Sequence, residues 1–543
     1  MSTRLVCALL LISSAAWSAS GLTYSTYLRE GFAPAAITAD TAGNVYVAGS
    51  TANAATVVKM NPAGSQYLYV RNFGGSVSDA AAAIAVDSAG NAYVTGTTSS
   101  PDFPITPGGH TGTLPAAGQT RAFLIKFDPQ GETVFSAVLG SVTTTGLAVM
   151  VTPAGQIIVS GVSGVGLAAT QNAYSVPDTT GRPFLMEIDP TGSTLVVVAT
   201  GIGGNALGQD ATGNIYMAGG TIYTDYPTTP GAYQTVLSPV YLPCPLGTCM
   251  IDIAGTNQYV TKVDSAATKL IFSTGMSQST TTNGGMAVDA AGNVYLTGLT
   301  YGAYGWTVLP ANSDMVNPFI TRLDLTGSRI SYSIPVGGAG IVLGPQGDVY
   351  LGGTYNDAFS NILAKTTTLP PPPRGVTNPP APCRVNYITT VSQGYIAHLD
   401  AVTGDVLSSV LFDGTNVTPT GIALAANSTV WLAGGTSQAD TPISQGAITP
   451  TSLAAGTLPG AFLGAAGFNV NQPPAGPQIG CIVDGGNQSR AGVVAPNQLL
   501  ALIGTGLGPA TPMSATDNST TLLGGVSVTF DGVAAPILYV SST

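Results

Sequence analysis

Asp40, Asp87, Asp210 and Asp289 each begin the string D-x-x-G-N, so a carboxylate recurs four residues before an asparagine amide. Oxygen donors this close invite a calcium reading, but a calcium loop places several oxygen ligands within about a dozen residues. Here each string supplies one carboxylate and one amide. The expectation is a turn in which the carboxylate accepts backbone N–H bonds. Asn44, Asn91 and Asn293 should then matter to stability alone. Only two histidines are present. His398 falls in a strand pattern where other copies carry Lys126, Glu187, Lys262 or Arg322, which reads as a residue on the strand's surface. His110 sits in the polar segment "PGGHTGTLPAAGQTR", shortly after Asp102 and Phe103, but no serine or cysteine nucleophile can be paired with it. No catalytic, cofactor or metal residue is therefore assigned. Cys244 and Cys249 bracket "CPLGTC", which Pro245 and Gly247 can bend, so these two are expected to form a local disulfide. Zinc would need a histidine or a second close cysteine pair beside them. "GTGLGPA" (504–510) lacks the lysine and following helix of a phosphate loop.

The elements that carry these residues repeat. "AITADTAGNVYVAGST" (36–51) returns as "AIAVDSAGNAYVTGTT" (83–98), "LGQDATGNIYMAGGT" (207–221) and "MAVDAAGNVYLTGLT" (286–300), with weaker copies at 149–162, 341–354 and 422–436. Each copy reads as two short strands joined by a turn that uses Gly for its positive φ. A second hairpin follows in most copies, for example "FLIKFDPQGETVFSAV" (123–138) and "FLMEIDPTGSTLVVV" (184–198). Seven units of four antiparallel strands are the arithmetic of an all-β fold, a seven-bladed β-propeller.

Composition agrees. Charged residues make up 8% of the chain, against about 25% in an average soluble protein, while apolar content is ordinary. A formal charge of −11 offers no footing on phosphate backbones, so nucleic acid is excluded as a partner. Residues 1–20 combine Arg4, an apolar stretch and a small-residue run, the order of a secretory signal. Export to the cell surface, the medium or the periplasm is expected, and no later stretch is apolar for the roughly 18 residues of a membrane span.

These residues resemble the bacterial SBBP (seven-bladed beta-propeller) repeats. The string "AVDxAGNxYVTG" is similar to theirs, as are "FxxKxDPxG", "DFPITPGG" (102–109), "DYPTTPGAYQ" (225–234) and "LTYSTYL" (22–28). The resemblance spans about 22–470, and the third, sixth and seventh copies depart from it at Thr152, Gln156, Gly344 and Ala425. It implies a seven-bladed ring over 21–470. In the repeat, "LTYSTYL" forms the fourth strand, yet here it precedes the first copy. The implied topology is a circular permutation in which residues 22–28 complete the last blade.

A proline-rich linker (471–479) leads to residues 480–543. There "VAPNQLLALIGTGLGP" and "GGVSVTFDGVAAPILYV" resemble part of the Ig-like, IPT/TIG-related β-sandwich found in secreted proteins of Acidobacteria. The function expected is that of an exported monomer, without enzymatic activity, that binds a glycan or protein. The alternatives are a propeller hydrolase or lyase and a purely adhesive repeat. Length variation falls on one face of the ring, in 99–121, 222–257, 355–393 and 437–460. Asp102, Phe103, His110, Tyr226 and Tyr233 are the ligand-contact candidates there.

Overall fold

The computed structural model describes residues 21–468 apart from 111, 141, 178–180, 238–239, 242–253, 302–315, 335, 356–392, 413–416, 427 and 437–459. Beyond them it describes 478–484, 499–505, 509, 511–530 and 533–540. All regular structure among these residues is β-strand, and none of it is a helix long and apolar enough to cross a membrane.

Seven antiparallel blades succeed one another. After β1 (Gly21–Tyr27), blade 1 contains β2 (Phe32–Ala39), β3 (Val45–Thr51), β4 (Ala54–Met60) and β5 (Tyr67–Phe73). Blade 2 contains β6 (Asp79–Val86), β7 (Ala92–Thr98), β8 (Arg121–Phe127) and β9 (Thr133–Leu139). Blade 3 contains β10 (Thr144–Val151), β11 (Ile157–Ser163), β12 (Pro183–Ile188) and β13 (Leu195–Thr200). Blade 4 uses β14 (Ala206–Gln209), β15 (Ile215–Thr221), the short β16 (Val240–Tyr241), β17 (Ala254–Val263) and the first half of β18 (Leu270–Val288). Blade 5 uses the second half of β18 with β19 (Val294–Tyr301), β20 (Val316–Leu323) and β21 (Ile330–Ile334). Blade 6 contains β22 (Gly340–Leu343), β23 (Val349–Tyr355), β24 (Gln393–Leu399) and β25 (Val406–Phe412). Blade 7 contains β26 (Val417–Leu424), β27 (Thr429–Thr436) and β28 (Gly460–Gly467).

The fourth strand of blade 7 is β1. Tyr27 lies opposite Phe462 and Gly21 opposite Gly467, so the two ends of the ring share one sheet. The displaced "LTYSTYL" segment thus does what its position implies, one residue earlier than read from the sequence. At the hub, β2 neighbours both β6 and β26, which completes the circle of innermost strands. Four strands per blade also holds, with one departure: β18 runs without a break from the rim of blade 4 to the hub of blade 5. Its sequence, "LIFSTGMSQSTTTNGGMAV", has no proline and keeps its Thr and Ser run between its glycines, so nothing forces a turn between the two blades.

The turns follow from their residues. In blade 1 the Gly43 N–H donates to the Asp40 carbonyl at 2.9 Å and the Asp40 N–H to the Asn44 carbonyl at 3.0 Å. Gly43 adopts φ 84°, where an L side chain is strained, which is why this hairpin asks for glycine. Cores form between blades, as where Tyr46, Val57 and Tyr69 of blade 1 pack with Ile84, Val94 and Phe127 of blade 2. Burial of both faces explains the strongly apolar second and third strands.

In the C-terminal segment β29 (Gln478–Asp484) pairs with β30 (Leu500–Thr505), and three two-residue pairs follow. Leu523, Val528, Ile537 and Val540 form a small apolar cluster.

Candidate functional site

The D-x-x-G-N strings build the same polar cluster in blades 1, 2, 4 and 5. In blade 1, Asp40 Oδ1 accepts the Asn44 N–H, and its Oδ2 accepts both the Asn44 amide and the Tyr46 hydroxyl, at 2.8–2.9 Å. The Tyr46 hydroxyl also lies 3.1 Å from the Gly90 carbonyl, in the turn of the next blade. Directly opposite Tyr46 in the register stands Lys59, whose ammonium lies 5.0 Å from the tyrosine ring centre and donates to the Pro129 carbonyl of blade 2. The same cross-strand pairing joins Tyr93 to Lys126, Tyr216 to Lys262, Tyr295 to Arg322 and Tyr350 to His398. Cations over ring faces and carboxylates beneath tyrosine hydroxyls are stronger inside a protein than in water.

The reading of the third-strand position as a strand surface is therefore corrected. His398 is buried, with Nε2 3.4 Å from Asp348 Oδ1 and its ring stacked 4.8 Å from that of Tyr350. Lys59 and Lys262 are buried as well. Each blade packs on the next, so a strand face that would be solvated in an open sheet is covered here. The signal was present in the sequence: a cation recurs wherever a Tyr follows the Asn by two residues. Where blade 3 has Ile158 in place of that Tyr, Gln156 donates to Glu187 instead, at 2.8 Å.

Electrostatics agree with a structural role. Burial alone would raise Asp87, yet hydrogen bonds from Asn91, Tyr93 and Ala89 hold its carboxyl below the usual range. In Asp210 burial is likewise outweighed, by bonds from Asn214, Lys262 and Thr212, and the carboxyl is held well below that range. Among the described residues no three acidic, His or Cys side chains group as a metal would require. At the hub, Asp79 is the one charged residue carried by the innermost strands. It is buried, accepting bonds from the Gly75 N–H and the Ser100 hydroxyl.

The two repeat-motif loops expected to reach ligand instead fold back over the rim. In blade 2, Phe103 is 2% exposed and stacks on Phe123 with ring centres 5.1 Å apart. Thr106 then clips the outer strand: its N–H donates to the Ser136 carbonyl and its hydroxyl accepts the Ser136 N–H. The Ser136 hydroxyl donates to the Pro104 carbonyl at 2.6 Å. Finally the His110 N–H donates at 2.7 Å to the carbonyl of Gly192, in the turn between strands three and four of blade 3. Blade 4 repeats every step. Tyr226 is 3% exposed and stacks on Tyr259 at 3.9 Å, Thr229 and Pro227 hold Ser273, and the Tyr233 N–H donates to the Gly327 carbonyl of blade 5. Blade 3 does the same without the motif. There Leu167 is buried, Thr170 clips Val198 and the Tyr174 N–H donates to the Ala267 carbonyl of blade 4.

These segments are straps that cover the outer-edge strand, which would otherwise offer unpaired N–H and C=O groups. Phe103 and Tyr226 are therefore corrected from ligand contacts to anchors: an aromatic ring in a Pro- and Thr-rich loop fills the apolar gap beside the sheet. Asp102 is exposed, but its Oδ1 accepts both the N–H and the hydroxyl of Ser76, which lowers its carboxyl. His110 is half-buried, and that burial lowers its imidazole. Tyr233 is 41% exposed. Asp225, the counterpart of Asp102 in blade 4, is held by both terminal nitrogens of Arg182 at 2.9 and 2.6 Å. Cys244 and Cys249 lie outside the described residues. Phe103→Ala and Tyr226→Ala should each destabilise by about 3–5 kcal/mol, the range for emptying a buried aromatic site. Urea unfolding followed by tyrosine fluorescence would show it, and a change under about 1 kcal/mol would refute the anchor role.

Residues 68–104 match the SBBP family model, described as a beta-propeller repeat. No curated protein matches the chain. Among solved structures, hydrazine synthase of Kuenenia stuttgartiensis is 10% identical, over 75% of this chain and 94% of that one, with a TM-score of 0.43. Quinohemoprotein alcohol dehydrogenase ADHIIG of Pseudomonas putida HK5 is 10% identical, over 84% and 78%, with a TM-score of 0.37. A europium-containing methanol dehydrogenase is 11% identical, over 82% and 93%, again at 0.37. At these scores the likenesses say nothing about what this chain binds or does.

Proposed function

We propose that this β-propeller is an exported, non-catalytic binding module for an extracellular glycan or protein, acting as a monomer. Its ligand contacts the face from which the links between second and third strands emerge. The observation that carries the reading is the difference between the two faces. On one, every described turn is short and closed on itself: Asp128, Asp189, Asp264, Asp324 and Asp400 each accept two N–H bonds within their own turn. On the other, the link between second and third strands ranges from Ala52–Asn53 in blade 1 to residues 356–392 in blade 6. Loops on a rigid scaffold are where binding residues concentrate, and extra length there is thermodynamically cheap. Asp102 stays as the contact candidate on that face, while His110 and Tyr233, at the far ends of the straps that Phe103 and Tyr226 fix, lie against the Gly192 and Gly327 turns of the opposite face. Residues 1–20 supply the export signal in this reading, and 480–543 an Ig-like appendage.

A glycan and peptide array probed with the secreted chain tests the proposal. Saturable binding that weakens at least about tenfold in Asp102→Ala, and is unchanged in Asn91→Ala, is the expected pattern. The reverse pattern would move the site to the short-turn face. Turnover of an array component would replace binding with catalysis.

A further inference from the structure

Blade 1 has no strap. Its second and third strands are joined by Ala52 and Asn53 alone, and two residues span at most about 7 Å, too short to reach the rim. Val70 of β5, opposite Val58, holds the register position that Ser136 holds opposite Ile125 in blade 2. Gly131, in the turn of blade 2, corresponds to Gly192 in blade 3. In the strapped blades these two carbonyls receive the N–H groups of a Thr and of a residue four positions on. In blade 1 they receive one side chain: Arg71 Nη1 donates to the Val70 carbonyl at 3.2 Å, and Arg71 Nε to the Gly131 carbonyl at 2.7 Å. The remaining nitrogen donates to the Gln130 carbonyl at 3.3 Å and to Glu132 Oε1 at 2.8 Å. Tyr69 lies beneath, its ring 5.6 Å from the guanidinium carbon and directly under Gly131, where an added Cβ would come within 2.7 Å of it.

We propose that Arg71 is a side-chain strap and that the seam it closes, between blades 1 and 2, is a releasable joint in the ring. A backbone strap is anchored at its buried apolar residue, its threonine and its end, whereas this seam's outer edge depends on one guanidinium. That group is 35% exposed and its carboxylate partner Glu132 is 75% exposed, a pair that dissolved salt screens. The planar fork explains the residue type. Nε and the two terminal nitrogens point in fixed divergent directions, so one arginine reaches acceptors on two blades, which a lysine ammonium at the end of its stem cannot do. The corresponding donor at the seam between blades 7 and 1 is the Tyr24 hydroxyl, 2.8 Å from the Gly64 carbonyl. That donor is uncharged and salt does not loosen it.

Hydrogen exchange read by mass spectrometry on the full chain separates these seams. In Arg71→Ala and Arg71→Lys alike, peptides covering 67–73 and 128–133 should exchange about tenfold faster or more, the loss expected when a partly exposed edge gives up charge-assisted bonds. Peptides covering 133–139 and 189–194, behind the blade 2 strap, should keep their protection. The unsubstituted chain in about 1 M salt, where the Debye length falls to about 3 Å, should show part of the same local increase. Wild-type protection in Arg71→Lys would show that charge alone suffices and overturn the fork argument. An increase spread equally over all seams, or none in either variant, would overturn the joint.

Discussion

A chain that begins at Gly31 rather than Gly21 should melt at least about 5 °C lower, since losing two fully buried large side chains alone costs about 5 kcal/mol or more. Those side chains are Tyr27, packed with Tyr350, Phe412 and Phe462, and Leu28, packed with Phe32 and Trp431. The Leu28 N–H also donates to the Ala461 carbonyl at 2.8 Å, and the Tyr24 hydroxyl holds the Gly64 turn. Removing all of this leaves β28 as a bare edge and turns a closed ring into an open one. Exposed edges of this kind also pair with other chains, so the shortened protein should aggregate on heating. Calorimetry of the two chains decides the matter, and equal melting temperatures would mean that the seventh blade holds without its N-terminal strand.

The second large effect is expected at the buried pair of Asp210 and Lys262, whose charged atoms stand 2.9 Å apart with side chains 8% and 11% exposed. Asp210→Ala strands the ammonium beneath the Tyr216 ring and should destabilise by about 3–5 kcal/mol. Lys262→Met should cost less, because Asn214, Thr212 and Tyr216 still donate to the carboxylate and the apolar stem is replaced in kind. The pH dependence has two limits. Asp210 titrates below its unfolded value near 4, so its contribution is present above that pH and is lost as pH falls further. For Lys262 burial is a lowering influence, but bonds to Tyr216 and Asp210 outweigh it and raise the group. Its contribution is full below the unfolded value near 10.4 and is lost as pH rises beyond it. The wild-type advantage over Lys262→Met should therefore be flat between about pH 4 and 10 and shrink outside both limits. Chemical denaturation across pH would show this, and an advantage that peaks near neutrality would refute it.

The sequence by itself determined the repeat, the four-strand unit, the seven blades and the turns at Gly43 and Gly131, and its resemblance to the repeat family implied the closure through residues 22–28. Those features rest on local chemistry: which residues tolerate positive φ, which carboxylate reaches its own turn, where apolar side chains alternate. Only the tertiary structure decided where Lys59, His398, Phe103 and Tyr226 point. A strand has two faces and a loop has many paths, and nothing local says which face a neighbouring blade will cover. The third-strand position of His398 read as a strand surface because the charged residues of its other copies are usually solvated, yet at Lys59 the next blade brings the Pro129 carbonyl to it. Phe103 and Tyr226 looked like loop aromatics poised for a ligand, yet the uncovered edge of their own blade is the nearest apolar surface, and burial there removes them from water at no cost in polar bonds. The same reasoning locates Arg71, whose role depends on two acceptors that sit on different blades and become neighbours only once the ring has closed.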